Sequence, residues 1–453
     1  MLDIIIKNTT VVTMDTHRNI LENCSIGIKD GIITFIGQED SSAVELEASQ
    51  IIDSQGCLVF PGMINIHTHS YQSLLKGLAC DKTLSEWLST MALPAAAALN
   101  PEAALYGSLA TAIENIHSGV TIIVDMYPRV EPEFFTNVMK GYRDIGNVGI
   151  FAAGFIHDDK DDETGEALNV IKQNIKQCAY MGKSLSPEGF PPIALAPFQI
   201  WNNSNSSLKM TKELSDELHL PVITHALETP FDNEACHDRH RASEIETIKK
   251  YGLLNINLSL IHGVTATSEE IAEIAKSGAS VSFSPVCNMF LGSGFAPIPE
   301  YRDAGVLLTL CTEGGACNNT NNMIETLKFA ALTQKGFHQD PAVVTSMDVL
   351  EMATINAAKC LGIDKYTGSI EVGKRADLFI ADPLACATSI PVHNPVSTLV
   401  YSSTRQMVKT VLVGGKIVLQ DGVLQYVDER EVLEKVQDVA EVLAKRAGID
   451  MLV

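Results

Sequence analysis

Pro61-Gly62-Met63-Ile64-Asn65-Ile66-His67-Thr68-His69 is the stretch whose reading decides the fold. An apolar strand leaves a Pro-Gly turn and ends in two histidines one residue apart. Side chains alternate along a strand, so both imidazoles point to one side. Two neutral imidazoles on one face suit zinc or iron. His-x-His by itself is common on protein surfaces. Here the apolar run before it makes it the end of a buried element, and the C-terminal ends of parallel barrel strands are where active sites gather.

The same pattern recurs further along. Val222-Ile223-Thr224-His225 is an apolar strand ending in histidine, with Glu228 three residues on. A hydrolytic metal site needs a proton carrier that is not itself a ligand, and Glu228 suits that task. The alternative is a buried histidine beside a helix-capping Glu. Leu258-Ser259-Leu260-Ile261-His262-Gly263 ends a third strand in histidine. Val306–Leu310 runs into Cys311-Thr312-Glu313-Gly314-Gly315, a carboxylate followed by glycines. Polar groups buried at four strand ends need partners, and a shared metal supplies one.

The rest of the chain fits a barrel. From about 58 to 367, apolar strands alternate with amphipathic helices, the rhythm of βα units and a parallel sheet. The expected strands are Leu58–Ile66, Val120–Val124, Val148–Ala152, Ile193–Ala196, Val222–Thr224, Leu258–Ile261, Ser280–Phe283 and Val306–Leu310. One helix is marked by Asn100 as cap, Pro101 in its first turn and Gly119 at its end. Both ends of the chain are rich in short strands and tight turns, with hairpin signals at Asp30-Gly31 and Gly414-Gly415. The expected fold is therefore α/β. A (β/α)8 TIM barrel spans 58–367, a small β-sandwich domain is built from 1–57 and 368–428, and 429–453 forms a C-terminal helix packing on the body.

Composition narrows the function. With 46% apolar and 19% charged residues in 453, the chain can bury a large core. A net charge of −22 and no basic stripe exclude a nucleic-acid surface. No apolar run reaches the length of a membrane span. The ten cysteines include no Cys-x-x-Cys pair, and the N-terminus has no signal-peptide pattern, so a cytoplasmic location is expected. His237 and His240 read as surface residues of a lid.

These residues resemble the amidohydrolase superfamily, in particular its ATZ/TRZ branch of S-adenosylhomocysteine deaminases and triazine hydrolases. The resemblance covers nearly the whole chain. It rests on Pro61-Gly62 to His69, His225 to Thr229, His262-Gly263, Ser284-Pro285-Val286-Cys287-Asn288 with Leu291-Gly292-Ser293-Gly294, and Gly368 to Leu378. It implies one divalent metal ion per subunit, zinc more than iron, held by His67, His69, His225 and Glu313. It also implies that His262 polarises the substrate and Glu228 shuttles protons. Two-metal relatives use a lysine on the fourth strand; Ile193–Phe198 has none. The family places Asp where this chain has Glu313, and one methylene moves a carboxylate by about 1.5 Å. Cys287, Cys311 and Cys317 lie near the same mouth in sequence; a thiolate there could replace a ligand, and the alternative reading of each, a small apolar residue, is preferred.

The resemblance further implies a small N-heterocyclic substrate and a homo-oligomer, dimer or larger. Relatives acting on nucleoside thioethers carry Pro-His after the fourth strand; Pro197-Phe198 here argues against such a substrate. Tyr71-Gln72 resembles relatives acting on compact rings. Gln72 could meet a ring edge, or serve as a helix-start contact. Glu86, Trp87 and Trp201 are further substrate-binding candidates, with core packing the alternative for Trp87. The expected activity is hydrolytic deamination of a cyclic amidine or N-heterocycle, with Glu228, His262 and Glu313 catalytic. The alternatives are loss of chloride or alkylamine from a triazine-like ring, and a non-catalytic barrel with an altered metal site.

Overall fold

The computed structural model describes residues 1–37 and 47–450. Residues 38–46 and 451–453, which the expected β domain and closing tail include, lie outside the described residues. Eight parallel strands form one sheet in chain order: Met63–Thr68, Val120–Tyr127, Val148–Phe155, Ala194–Pro197, Val222–Ala226, Leu258–His262, Ser280–Phe283 and Leu307–Leu310. These are called the first to eighth barrel strands. Side chains stitch the seam between the eighth and the first. Asn65 Nδ2 donates to Thr312 Oγ1 at 2.8 Å, and the Thr312 N–H donates to Asn65 Oδ1 at 3.1 Å. The Glu313 N–H then donates to the His67 carbonyl at 3.2 Å. The seam thus sets the distance between two candidate metal ligands.

One expected strand is two. Leu58–Pro61 pairs with Leu2–Val12 and Leu378–Ala381 in the other sheet, and only Met63–Thr68 enters the barrel. The break falls at Gly62, where a Cβ would lie 2.3 Å from Thr121 Oγ1. Only a residue without a side chain lets the chain cross there. Among the described residues the second sheet has nine strands, all drawn from the two ends of the chain together with Leu58–Pro61. Its Asp30-Gly31 turn joins antiparallel Ile20–Lys29 and Ile32–Gly37.

The helix Pro101–His117 is capped as its sequence predicts, with Asn100 Oδ1 accepting the Ala103 N–H at 2.8 Å. The long helix Glu429–Ala447 packs on it, and His117 Nε2 meets Glu429 Oε2 at 2.9 Å. Between the first strand and Pro101, short helical turns from Ser70 to Ala97 fold over the barrel mouth. No helix among the described residues is long and apolar enough to cross a membrane.

Candidate metal and catalytic site

Four side chains from three parts of the barrel rim converge. His67 and His69 leave the end of the first strand, His225 the fifth, and Glu313 the turn after the eighth. Their donor atoms all lie within 4.8 Å of one another, and all four residues are buried. Glu313 Oε1 is 2.7 Å from His67 Nε2 and 3.2 Å from His225 Nε2. His225 Nε2 lies 3.1 Å from His67 Nε2 and 3.3 Å from His69 Nε2.

The ring orientation has a physical cause. His69 Nδ1 sits 2.7 Å from the Met126 carbonyl, and His225 Nδ1 sits 2.8 Å from the Phe198 carbonyl. A carbonyl only accepts, so each Nδ1 carries the proton and each Nε2 lone pair faces the centre. Burial drives His67 down to about 3, so that ring is neutral. Burial alone would raise Glu313, but electrostatic attraction to the His67 and His69 rings and hydrogen bonds with His225 and His67 hold it well below the usual carboxylate range. Three imidazole nitrogens and one ionised carboxylate, close-set and buried, are a donor set that fits a divalent ion.

Beside this cluster stand Glu228 and His262, with His262 Nε2 3.5 Å from Glu228 Oε2. His262 Nδ1 donates to Asn288 Oδ1 at 2.9 Å, which leaves Nε2 as an acceptor. Burial lowers His262 to about 4. Burial, then the nearby charge of Asp232, raises Glu228 to about 8, so it holds a proton at neutral pH. Ser293 Oγ donates to Glu228 Oε1 at 2.9 Å. Glu228 does not cap the following helix. Thr229 does, with Asp232 closing the capping box.

Both groups open on a cavity of about 540 Å³. Gln72, Trp87 and Trp201 line it. Gln72 lies so close over the turn after Glu313 that a Cβ on Gly314 would fall 1.8 Å from its Oε1. The indole N–H of Trp87 donates to the Ala316 carbonyl at 3.2 Å, and that of Trp201 to Asp232 Oδ1 at 2.8 Å. Glu86 is a correction: it is exposed, and its carboxylate turns back onto the Thr83 N–H and hydroxyl as part of a capping box. Helical spacing points the neighbour of Trp87 away from the cavity. His240 is another: it is buried, with Nδ1 3.1 Å from Asn205 Oδ1 and Nε2 3.1 Å from the Ile200 carbonyl. His237 is exposed, as expected. Sequence reasoning assigned no role to Asn288 or Ser293, although both fall in the seventh-strand segment that carries the resemblance.

A family model described as amidohydrolase family matches residues 58–418. The chain belongs to the amidohydrolase family. A 5-methylthioadenosine/S-adenosylhomocysteine deaminase of Thermoanaerobacter pseudethanolicus is 32% identical over 445 residues, covering 98% of this amidohydrolase and 100% of that protein. A 5'-deoxyadenosine deaminase of Methanopyrus kandleri is 32% identical over 430 residues, with 94% and 97% covered. Among solved structures, an adenosine deaminase from Xanthomonas campestris with bound zinc superposes with a TM-score of 0.88 at 26% identity, covering 98% of this chain and 99% of that one. The relatives' names run against the expectation drawn from Pro197-Phe198. In this amidohydrolase the Phe198 ring stacks on His69, with centroids 5.7 Å apart and planes 6° from parallel.

Proposed function

We propose that this protein hydrolyses an exocyclic amino group from a nitrogen heterocycle bearing an apolar substituent, releasing ammonia. The observation that carries the reading is Glu228, protonated beside His262 on the wall of a cavity that His69, His225 and Glu313 of the four-donor cluster also line. His67, His69, His225 and Glu313 would hold one divalent ion per subunit, zinc rather than iron, as in the zinc-bound relative. Such an ion, when bound, lowers the pKa of a water toward about 7 and so supplies a nucleophile at neutral pH.

The chain's own groups manage the protons. Glu228 gives its proton to a ring nitrogen, which makes the amidine carbon electrophilic. As a carboxylate it takes a proton from the attacking water and passes it to the exocyclic nitrogen. The C–N bond breaks, ammonia leaves, and Glu228 recovers the remaining hydroxyl proton as the ring carbonyl forms. His262, with Nδ1 committed to Asn288, offers Nε2 as an acceptor that aligns the attacking hydroxyl. Gln72 meets a polar ring edge, and Trp87 and Trp201 bound its apolar parts.

The substituent is read from the wall. Leu88, Ala92, Leu93, Ala96, Ala97 and Ile156 line the cavity and carry no side-chain hydrogen-bonding group. A sugar diol buried against them would lose its water partners unless it turned toward Arg129, Gln199 or Asn202 on the same lining. The names of the sequence relatives favour a second reading, a 5'-substituted adenosine. The enzyme is further taken as a cytoplasmic homo-oligomer, dimer or larger; the described cysteines are all unpaired, which suits a reducing compartment.

Ammonia release is the test. The panel would hold 5-methylthioadenosine, 5'-deoxyadenosine and adenosine beside alkyl-substituted aminotriazines, aminopurine bases and aminopterins. Turnover of alkyl-bearing rings above the nucleosides supports the first reading, and the reverse order supports the second. Chloride or alkylamine in place of ammonia would overturn deamination. Silence across the panel from zinc-loaded protein would point to a non-catalytic barrel.

A further inference from the structure

The carboxylate of Glu313 has two differently occupied sides. Oε1 faces His67 and His225. Oε2 faces the Gly314 N–H at 2.6 Å and Cys317 Sγ at 3.3 Å. Cys287, from the helix Pro285–Phe290 after the seventh strand, joins Cys317 there. The two sulfurs and a Glu313 carboxylate oxygen lie within 4.8 Å of one another, and all three residues are buried.

One of these spacings can be set against a metal's needs. Zinc bonds sulfur at about 2.3 Å and a carboxylate oxygen at about 2.0 Å, which puts two tetrahedral ligands about 3.5 Å apart. The 3.3 Å between Cys317 Sγ and Glu313 Oε2 is close to that value. Thiolates favour soft, thiophilic cations over magnesium or calcium. Both cysteines also line the cavity, so a fourth ligand position is open to solvent or substrate. Glu rather than Asp at this turn gives the carboxylate the length to serve both clusters.

We propose that Cys287, Cys317 and the Oε2 atom of Glu313 form a second metal site, for a thiophilic divalent cation such as zinc or cadmium, beside the four-residue site. Binding replaces two S–H bonds by two S–metal bonds and releases two protons to solvent; neither sulfur changes oxidation state. The site concerns metal binding and stands apart from the identity of the deaminated ring, though Glu313 is common to both.

The test is a cadmium titration of the full-length, zinc-loaded protein in a non-thiol reductant. The expected result is one further cadmium per chain, an ultraviolet thiolate-to-cadmium charge-transfer band that stops growing at one equivalent, and about two protons released per cadmium. The double variant Cys287→Ser/Cys317→Ser should keep its zinc and its near-ultraviolet circular dichroism and lose the band. If the double variant does not fold, each single variant should weaken cadmium binding at least about tenfold. No band in the wild type, an equal band in the double variant, or unchanged affinity in the single variants overturns the proposal. Ammonia release by the wild type is measured separately, so failure of the deaminase reading and failure of this one give different results.

Discussion

The two sides of the site hold their donors differently. On the side of the first and fifth strands, His69 and His225 each rest Nδ1 on a backbone carbonyl of a neighbouring barrel segment. On the side of the sixth to eighth strands the supports are side chains and a short turn. His262 leans on Asn288, and Glu313 on the Gly314 N–H and Cys317. His262 and Glu313 also take left-handed backbone, with φ of 79° and 63°. For residues other than glycine that costs on the order of 1–3 kcal/mol each. A backbone carbonyl cannot be removed by substitution, so the first side is rigid. The supports on the second side, by contrast, can be retuned by single residues.

The largest expected effect breaks the rigid side. His225→Ala should lose the bound metal by elemental analysis and lower kcat/KM by at least about 10³-fold, the scale of several kcal/mol of charge stabilisation. A variant that keeps both metal and rate would show that His225 is not a ligand. Next, Glu228→Gln should retain metal and fall about 10²–10⁴-fold in kcat. Loss of metal instead would make Glu228 a ligand.

The pH profile sharpens the same point. Glu228 acts first as an acid, and its raised value near 8 means that the active form exists below that pH. kcat/KM should therefore fall as pH rises through about 8. A profile flat to pH 10 would remove Glu228 as the acid.

Asn288→Ala probes the tunable side. It should cut activity about 10–100-fold with metal content unchanged, because His262 loses the group that fixes its tautomer. An unaltered rate would show that packing alone orients His262. The smallest effect is expected at Glu86→Ala, where kcat/KM should stay within about twofold of wild type, as for surface changes in general. A large rise in KM would put Glu86 back at the substrate.

Much of this was legible in the chain because the signals are local. A strand's two-residue alternation places His67 and His69 on one face, and an apolar run ending in His225 or His262 marks a buried strand end. Asn100-Pro101 marks a helix start, since cap and first turn are set by neighbours in sequence. Glu86 was misread for a related reason: capping box and substrate contact both ask for a carboxylate, and only the path of the segment from Ser70 to Ala97 decides between them. His240 looked exposed because its partners, Asn205 and the Ile200 carbonyl, lie more than 30 positions away.

What the sequence determined alone is the alternation of strands and helices, the caps, and the residue types offered at the strand ends. Tertiary structure decided that Leu58–Ile66 divides at Gly62, where Thr121 allows no side chain. It also decided that Glu313 reaches the histidines, because Asn65 and Thr312 fix the seam between the eighth and first strands. Ring orientation at His69 and His225 is set by the carbonyls of Met126 and Phe198. Every residue has a carbonyl, so no side-chain letter announces which one an imidazole will meet; only the pairing of neighbouring barrel strands brings them together.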